Sequence, residues 1–288
     1  METILELQGI SKKFKDSGFC LSDVSFALPS GSIMGFVGEN GAGKTTTIGC
    51  ILNILTKDSG TITVFGEEMT DENVMAREDI GVVFDANNFS GRLTAKQLSK
   101  VMGGIYRKWD NTKFTRYLDN FKLPLHQKIK TYSKGMAMKL ALSVALAHSP
   151  RLLLLDEATS GLDPLVRDEI LEVFLEFVQD EEHAILLSSH IISDLEKIAD
   201  YITFIHDGRI ILSEKKDDLI YNYAVVRSKS GQFAEMDRRD IIAFRKRDFQ
   251  IDVLVSDRHL IERKYKDLVI DNVTIDEIML LLIKGEKP

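Results

Sequence analysis

Short, largely apolar runs recur along the first two-thirds of the chain, at residues 4–7, 24–28, 33–37, 61–65, 81–84, 152–155, 184–187 and 202–205. Runs of this length predict strands. Several, such as Leu152-Leu153-Leu154-Leu155, are apolar at every position, the pattern of a parallel sheet covered on both faces. Between about 85 and 149 the period changes to a helical one, with apolar residues recurring around 98–105, 114–121 and 138–146. An α/β core interrupted by a helical insert follows from this pattern.

From about residue 219 the character changes again. Phe249, Ile251, Val253 and Val255 alternate along one predicted strand, and residues 267–270 form a second. Thr274-Ile275-Asp276-Glu277 is a capping-box pattern opening a helix that carries Ile278, Leu281 and Leu282, and Gly285 is placed to end it. These signals predict a small α+β accessory domain over 219–288, after a first domain over 1–215. No internal repeat, low-complexity segment or long flexible linker is evident.

A length of 288 residues accommodates one large domain, or one plus a small appendage. The formal charge of −7 argues against a protein dominated by contacts to a nucleic-acid backbone. The acidic start, Met-Glu-Thr-Ile-Leu-Glu-Leu, lacks the features of a secretory signal, and no apolar run approaches the ~18 residues needed to span a bilayer. The expectation is a soluble chain in a reducing cytosol, where Cys20 and Cys50 act as small apolar residues.

Candidate chemistry begins after the run 33–37. Residues 38–46 read Gly-Glu-Asn-Gly-Ala-Gly-Lys-Thr-Thr, a P-loop between a predicted strand and a helix carrying Ile48, Ile51, Leu52 and Leu55 on one face. Its glycines let backbone N–H groups turn toward a polyphosphate, Lys44 reaches the β and γ phosphates, and the Thr45 hydroxyl binds Mg²⁺. The run 152–155 ends in Asp156-Glu157, and ligands gather at the carboxyl ends of strands in open α/β sheets. That puts Asp156 near the Thr45 metal and leaves Glu157 to face water as a general base. His190 closes the run from 184 along the same edge, where an imidazole is placed to bond a γ-phosphate oxygen or orient the attacking water. Tyr132-Ser133-Lys134-Gly135-Met136 precedes an Ala- and Leu-rich helical stretch, with Ser133 as its N-cap.

Together with Ser160-Gly161-Leu162-Asp163, these five ordered motifs resemble the ATPase cassette of ABC transporters over about residues 1–215. The resemblance implies a P-loop NTPase fold with a helical subdomain insert at about 85–149, ATP and Mg²⁺ as cofactors, and Lys44, Glu157 and His190 as catalytic residues. It implies ATP binding by Gly38, Asn40, Gly41, Ala42, Gly43, Lys44, Thr45 and Thr46. Phe14 matches the position where the family stacks an aromatic ring on adenine, and a core phenylalanine is the alternative. Ser133, Lys134 and Gly135 would form the signature motif, which meets the γ-phosphate held by the opposite subunit. Asp163 would lie in the loop joining the two sites, and Asp163-Pro164 also reads as N-cap and first residue of a helix.

Three positions depart from the family pattern. Lys134 stands where a glycine is usual, and Ala158 replaces the common proline after the catalytic glutamate. Asp85 takes the place of a glutamine that contacts Mg²⁺ and links the site to the membrane partner; it is shorter and charged, which favours coupling over metal contact. The signature, Asp85 and Tyr106-Arg107-Lys108-Trp109-Asp110 resemble more closely the ATPase subunits of ABC-2-type exporters of Gram-positive bacteria. That group includes the bacitracin and lantibiotic immunity, acetoin-operon and phenol-soluble-modulin transporters.

The resulting expectation is a cytoplasmic ATPase, peripheral at the inner face of the cell membrane, that pairs with a second cassette, identical or different. It would power export of amphipathic or antimicrobial peptides through a separate integral membrane subunit docked on the insert, with Phe89, Tyr106 and Trp109 as groove candidates. A regulatory, nucleic-acid-associated ABC ATPase is the alternative, with Arg238-Arg239 and Arg245-Lys246-Arg247 as its basic residues. A module that only binds ATP is disfavoured by the presence of Glu157 and His190.

Overall fold

Two hydrophobic patterns build two kinds of sheet in the first of the two units into which the chain divides. The computed structural model describes residues 2–15, 18–70, 73–84 and 89–288. One unit comprises Met1–Ala199 and Ile205–Ile210, the other Asp200–Phe204 and Ile211–Pro288. Asp85 lies outside the described residues.

The first unit opens with β1 (Thr3–Lys13), β2 (Cys20–Pro29) and β3 (Ser32–Val37), then α1 (Lys44–Ile51), β4 (Ser59–Val64) and β5 (Glu67–Glu68). Along β2, buried Leu21, Val24, Phe26 and Leu28 are separated by more exposed residues, as expected of a sheet with one face packed. Strands β2-β1-β4-β5 form that antiparallel sheet. α1 is shorter than its apolar spacing predicts. It ends at Ile51, and Leu55 lies beyond it, where its N–H donates to the Gly49 carbonyl at 3.0 Å. Cys50 is buried, whereas Cys20, at the exposed start of β2, corrects the expectation of an apolar role.

After α2 (Val74–Arg77) and β6 (Ile80–Val83) come the insert helices α3 (Ala95–Met102), α4 (Asn111–Asn120) and α5 (Lys134–Ala147). Each starts where a polar side chain accepts from free backbone N–H groups: Thr94 with its partner Gln97, Asp110, and Ser133. The insert core is built from Leu98, Phe114, Leu118, Ile129, Met138 and Leu142. Tyr106 and Trp109 are half-buried, since Tyr106 stacks on His148 at 4.1 Å and Trp109 meets Phe114 at 5.2 Å. The large apolar side chains exposed in this region are instead Val101 and Ile105.

The unit continues through β7 (Leu152–Asp156), α6 (Pro164–Phe177), β8 (Ala184–Ser189) and α7 (Ile192–Ile198). Strands β3, β8, β7 and β6 are parallel neighbours, and every residue of β3, β7 and β8 is buried. Register brings the strand ends together. Val37 is opposite Ser189 and Asp156 is opposite Ser188, so the segments after β3, β7 and β8 all leave from one carboxyl edge. β9 (Tyr201–His206) and β10 (Arg209–Lys215) come next, and the division between units falls within them.

The second unit runs α8 (Lys216–Tyr221), β11 (Ala224–Ser228), α9 (Ser230–Glu235), β12 (Ala243–Lys246), β13 (Ile251–Val255), α10 (Arg258–Lys264), β14 (Val269–Asn272) and α11 (Ile275–Lys284). Its antiparallel sheet has the order β12-β13-β11-β14, so the β-α-β-β-α-β segment has the split βαβ topology. Val226, Phe244, Val253 and Val255 pack with Met236, Ile241 and Ile261 on one face. Arg227 and Asp252, opposite each other in register, pair at 2.7 Å, and Arg227 also reaches Glu277 at the start of α11 at 3.0 Å. Thr274 and Glu277 make both bonds of the expected capping box, and Gly285 caps the far end with extended backbone. Phe249 falls outside the strand predicted for it. It sits in the turn closed by Arg247 and Gln250 and is almost wholly exposed. Of the basic residues noted in the sequence, Arg239 pairs with Asp237 and Arg247 with Asp252.

Burial pushes the His148 imidazole below the ordinary histidine range; the Ile80 and Val144 carbonyls, 3.3 and 3.4 Å from its ring nitrogens, oppose this only in part. With a folded-state pKa below the unfolded one, the unfolded chain takes up its proton first as pH falls. The stability tied to neutral His148 is therefore complete above about pH 6.5 and is lost as pH drops through the folded value. His148→Phe, which keeps the stack on Tyr106, is expected to flatten the decline of Tm between about pH 7 and about pH 5. An unchanged slope in thermal melts would mean that other groups carry it.

Candidate functional site

α1 begins at Lys44 directly after Gly43, whose φ of 116° lies in the left-handed region. A Cβ there would also stand 2.6 Å from Leu21 Cδ2, so only glycine allows this turn. Because Gly43 is the N-cap and has no side chain, it offers α1 no side-chain cap. The first-turn N–H groups then remain available to an anion, on the positive end of the helix dipole. Lys44 Nζ is buried and donates to the Gly38 carbonyl at 2.7 Å and the Glu39 carbonyl at 3.3 Å.

Asp156 ties this loop to the sheet. Thr45 Oγ1 donates to its Oδ2 at 2.7 Å and Ser188 Oγ to its Oδ1 at 2.5 Å, so both oxygens of a buried carboxylate are bonded. Ser188 was not singled out in the sequence, although its place in the run ending at His190 carried the signal. Glu157, the next residue, has a φ of 53°, unusual for a side chain with a Cβ and worth on the order of 1 kcal/mol of strain. That conformation brings its Oε2 within 2.6 Å of His190 Nδ1 and its Oε1 within 3.2 Å of Lys44 Nζ. Oε1 is buried and accepts no hydrogen bond, the lysine contact being an ion pair without bonding alignment.

A cavity of about 460 Å³ lies over these groups, lined by Phe14, Phe19, Asn40, Gly41, Gly43, Lys44, Thr45, Thr46 and Glu157. Its size is that of a small-molecule site. Phe14 is half-buried at the wall, 6.3 Å from Phe19 between ring centroids, and is not part of the core. Phe19 gave no sequence signal, since it belongs to none of the motifs. Gly38 and Ala42 shape the loop without lining the cavity. Ser133, Lys134, Gly135 and Asp163 do not line it either; Ser133 caps α5 and Asp163 caps α6, where Asp163 Oδ1 accepts from Val166 N at 3.1 Å.

Comparison with known proteins agrees with this geometry. A family model described as ABC transporter matches residues 21–160. The ABC transporter ATP-binding protein YhcH of Bacillus subtilis is 32% identical over 227 residues, covering 76% of this chain and 73% of that one. The chain belongs to the ABC transporter family. Within it, the bacitracin transport ATP-binding protein BcrA of Bacillus licheniformis is 32% identical, with 73% of this chain and 69% of BcrA covered. A solved ATP-binding subunit of an ABC transporter superposes with a TM-score of 0.68 at 28% identity, covering 75% of this chain and 91% of that one. This ABC protein is therefore an ATP-binding cassette with ATPase activity and a P-loop NTPase fold.

The buried, unbonded Oε1 of Glu157 is the atom to test. Glu157→Gln is expected to keep ATP binding and to slow hydrolysis by ~10²- to 10⁴-fold, the usual loss with a general base. Phosphate release measured beside nucleotide binding separates the two effects, and near-normal turnover would remove Glu157 from that role.

Proposed function

We propose that this cassette powers export of amphipathic or antimicrobial peptides, working as one of two cassettes on a separate integral membrane subunit at the cytoplasmic face. The observation that carries the peptide reading is the similarity to BcrA, a bacitracin transport protein. Among the described residues no helix is long and apolar enough to cross a membrane, and in this reading transport work passes to another polypeptide. Residues 1–215 are assigned to the ATPase domain and 219–288 to the accessory domain.

In this reading Lys44 and the first-turn N–H groups of α1 hold the phosphates, Phe14 stacks on the base, and Glu157 Oε1 accepts the proton of the attacking water. His190 holds the other oxygen of Glu157 and so fixes the direction of its carboxylate. The Thr45 hydroxyl and the Asp156 carboxylate are the groups that would hold Mg²⁺. Hard oxygen donors suit that ion, and it commonly takes only one or two protein ligands beside phosphates. When bound, it supplies neutralisation of the charge that builds on the phosphates. Ser133, Lys134 and Gly135 act on the nucleotide of the opposite cassette, completing a head-to-tail sandwich.

The insert is the proposed docking surface. Its exposed Val101 and Ile105 are better suited to receive a partner than Tyr106 and Trp109, which are engaged in internal stacking. Cysteines at positions 101 and 105 are expected to crosslink to an integral membrane protein in native membranes, and deleting the gene is expected to lower peptide resistance. No capture together with unchanged resistance would defeat the transport reading. Asp85 is proposed to couple the site to that partner. Asp85→Ala should leave Mg·ATP affinity nearly intact while weakening stimulation by the membrane subunit; a large loss of affinity in the isolated chain would make it a metal ligand instead.

A further inference from the structure

The second unit has a cavity of its own. It measures about 470 Å³ and lies between α9, the 3₁₀ turn Arg238–Asp240, β12 and the segment after α11. Phe233 and Phe244 form its aromatic wall, with ring centroids 4.7 Å apart, and Met236 and Ile241 are buried beside them. Ala234 and Pro288 complete the apolar lining, so the polar side chains that reach the cavity are those of Arg238 and Lys287. Every residue lining the nucleotide cavity belongs to the other unit.

The positive charge at this cavity is uncompensated. Arg238 and Lys287 are exposed, and among the described residues neither has an ion-pair partner. The acids beside Arg238 in the chain are already engaged: Asp237 pairs with Arg239 at 2.6 Å, and Asp240 takes Lys264 at 2.6 Å and the Tyr265 hydroxyl at 2.8 Å. Glu235 and Glu286 are exposed and line no part of the cavity. A third cation stands at the aromatic wall, where Lys246 Nζ is 5.6 Å from the centre of the Phe244 ring. An apolar hollow rimmed by free cations suits a molecule with an apolar body and one anionic end.

We propose that this cavity binds an acyl-chain carboxylate, with the chain between Phe233, Met236, Ile241 and Phe244 and the carboxylate held by Arg238 and Lys287. A peptide fits it less well. The peptide backbone would need hydrogen-bond partners that an apolar wall lacks. The β12 backbone at the wall is already taken, because Phe244 N donates to the Glu286 carbonyl at 2.9 Å and Glu286 N to the Phe244 carbonyl at 2.8 Å. An acyl chain asks for neither group, and the unbranched thioether of Met236 adapts to its shape. Because Lys287 follows Glu286, a carboxylate shared by Arg238 and Lys287 ties the paired segment to the turn after α9. The bound state therefore holds that segment more firmly on β12. The site stands apart from the nucleotide chemistry and from the peptide-export reading.

The test is calorimetric titration of the full chain with octanoate, beside octanol and octyltrimethylammonium, which share the chain and lack the negative charge. Octanoate is expected to saturate a single site at least about tenfold more tightly than either control, the difference that a charge-assisted hydrogen bond supplies. Arg238→Ala combined with Lys287→Ala is expected to weaken octanoate by about tenfold or more and leave octanol unchanged, while Phe233→Ala weakens both. Thermal melts verify that each of these surface variants is folded. Hydrogen exchange gives a second readout: octanoate is expected to slow the Phe244 and Glu286 amides several-fold in wild type and not in the double variant. Octanol binding as tightly as octanoate, octanoate binding undiminished by the double substitution, or no saturable binding at all would overturn the proposal. Unchanged exchange at those two amides with octanoate bound would place the carboxylate elsewhere and overturn it as well.

Discussion

The buried carboxylate of Asp156 is the point on which the site depends. A desolvated carboxylate is costly unless its oxygens are satisfied, and the fold supplies one hydroxyl from each side, Thr45 from the phosphate loop and Ser188 from the neighbouring strand. The same two bonds connect α1, β7 and β8. Removing either hydroxyl would leave a buried charge short of a donor, so the geometry of the loop and the order of the sheet support one another.

Glu157 depends on that arrangement in turn. Its N–H lies 3.1 Å from both the backbone carbonyl and the hydroxyl of Ser188, and its left-handed backbone turns the side chain back toward Lys44 and His190. Neighbours thus hold the strained residue in place, as strain at functional positions requires. The buried ammonium of Lys44 gains a counter-charge from the same carboxylate. An incoming polyphosphate would compete for that ammonium, which makes the lysine–glutamate contact a natural point of exchange between the ligand-free and ligand-bound states.

The insert and the second unit solve different problems. In the insert, polar caps fix the three helix starts and aromatic stacking around His148 fills the space between helices. In the second unit, a short antiparallel sheet is packed with apolar residues on one face and carries the Arg227–Asp252 pair on the other. Asp252 is buried and also pairs with Arg247, and Arg227 also reaches Glu277, so the pair belongs to a network in which each charge has more than one partner.

Much of this was legible in the sequence wherever the information is local. The buried strands β3, β7 and β8 announced themselves by unbroken apolar runs, the insert helices by their period, and α11 by its capping box, because each signal lies within a few residues of the element it specifies. The phosphate loop was equally readable, since its glycines and lysine act through their own backbone and spacing. Strands β5, β10, β11 and β12 were not. They are short or weakly patterned and exist because a neighbouring strand offers them hydrogen bonds. Tertiary structure alone decided that Ser188 bonds Asp156, that Phe19 faces Phe14, and that Tyr106 and Trp109 turn inward. Each of those contacts joins residues distant in the chain or set by a turn, and depends on strand register and side-chain direction, which no local pattern of hydrophobicity encodes.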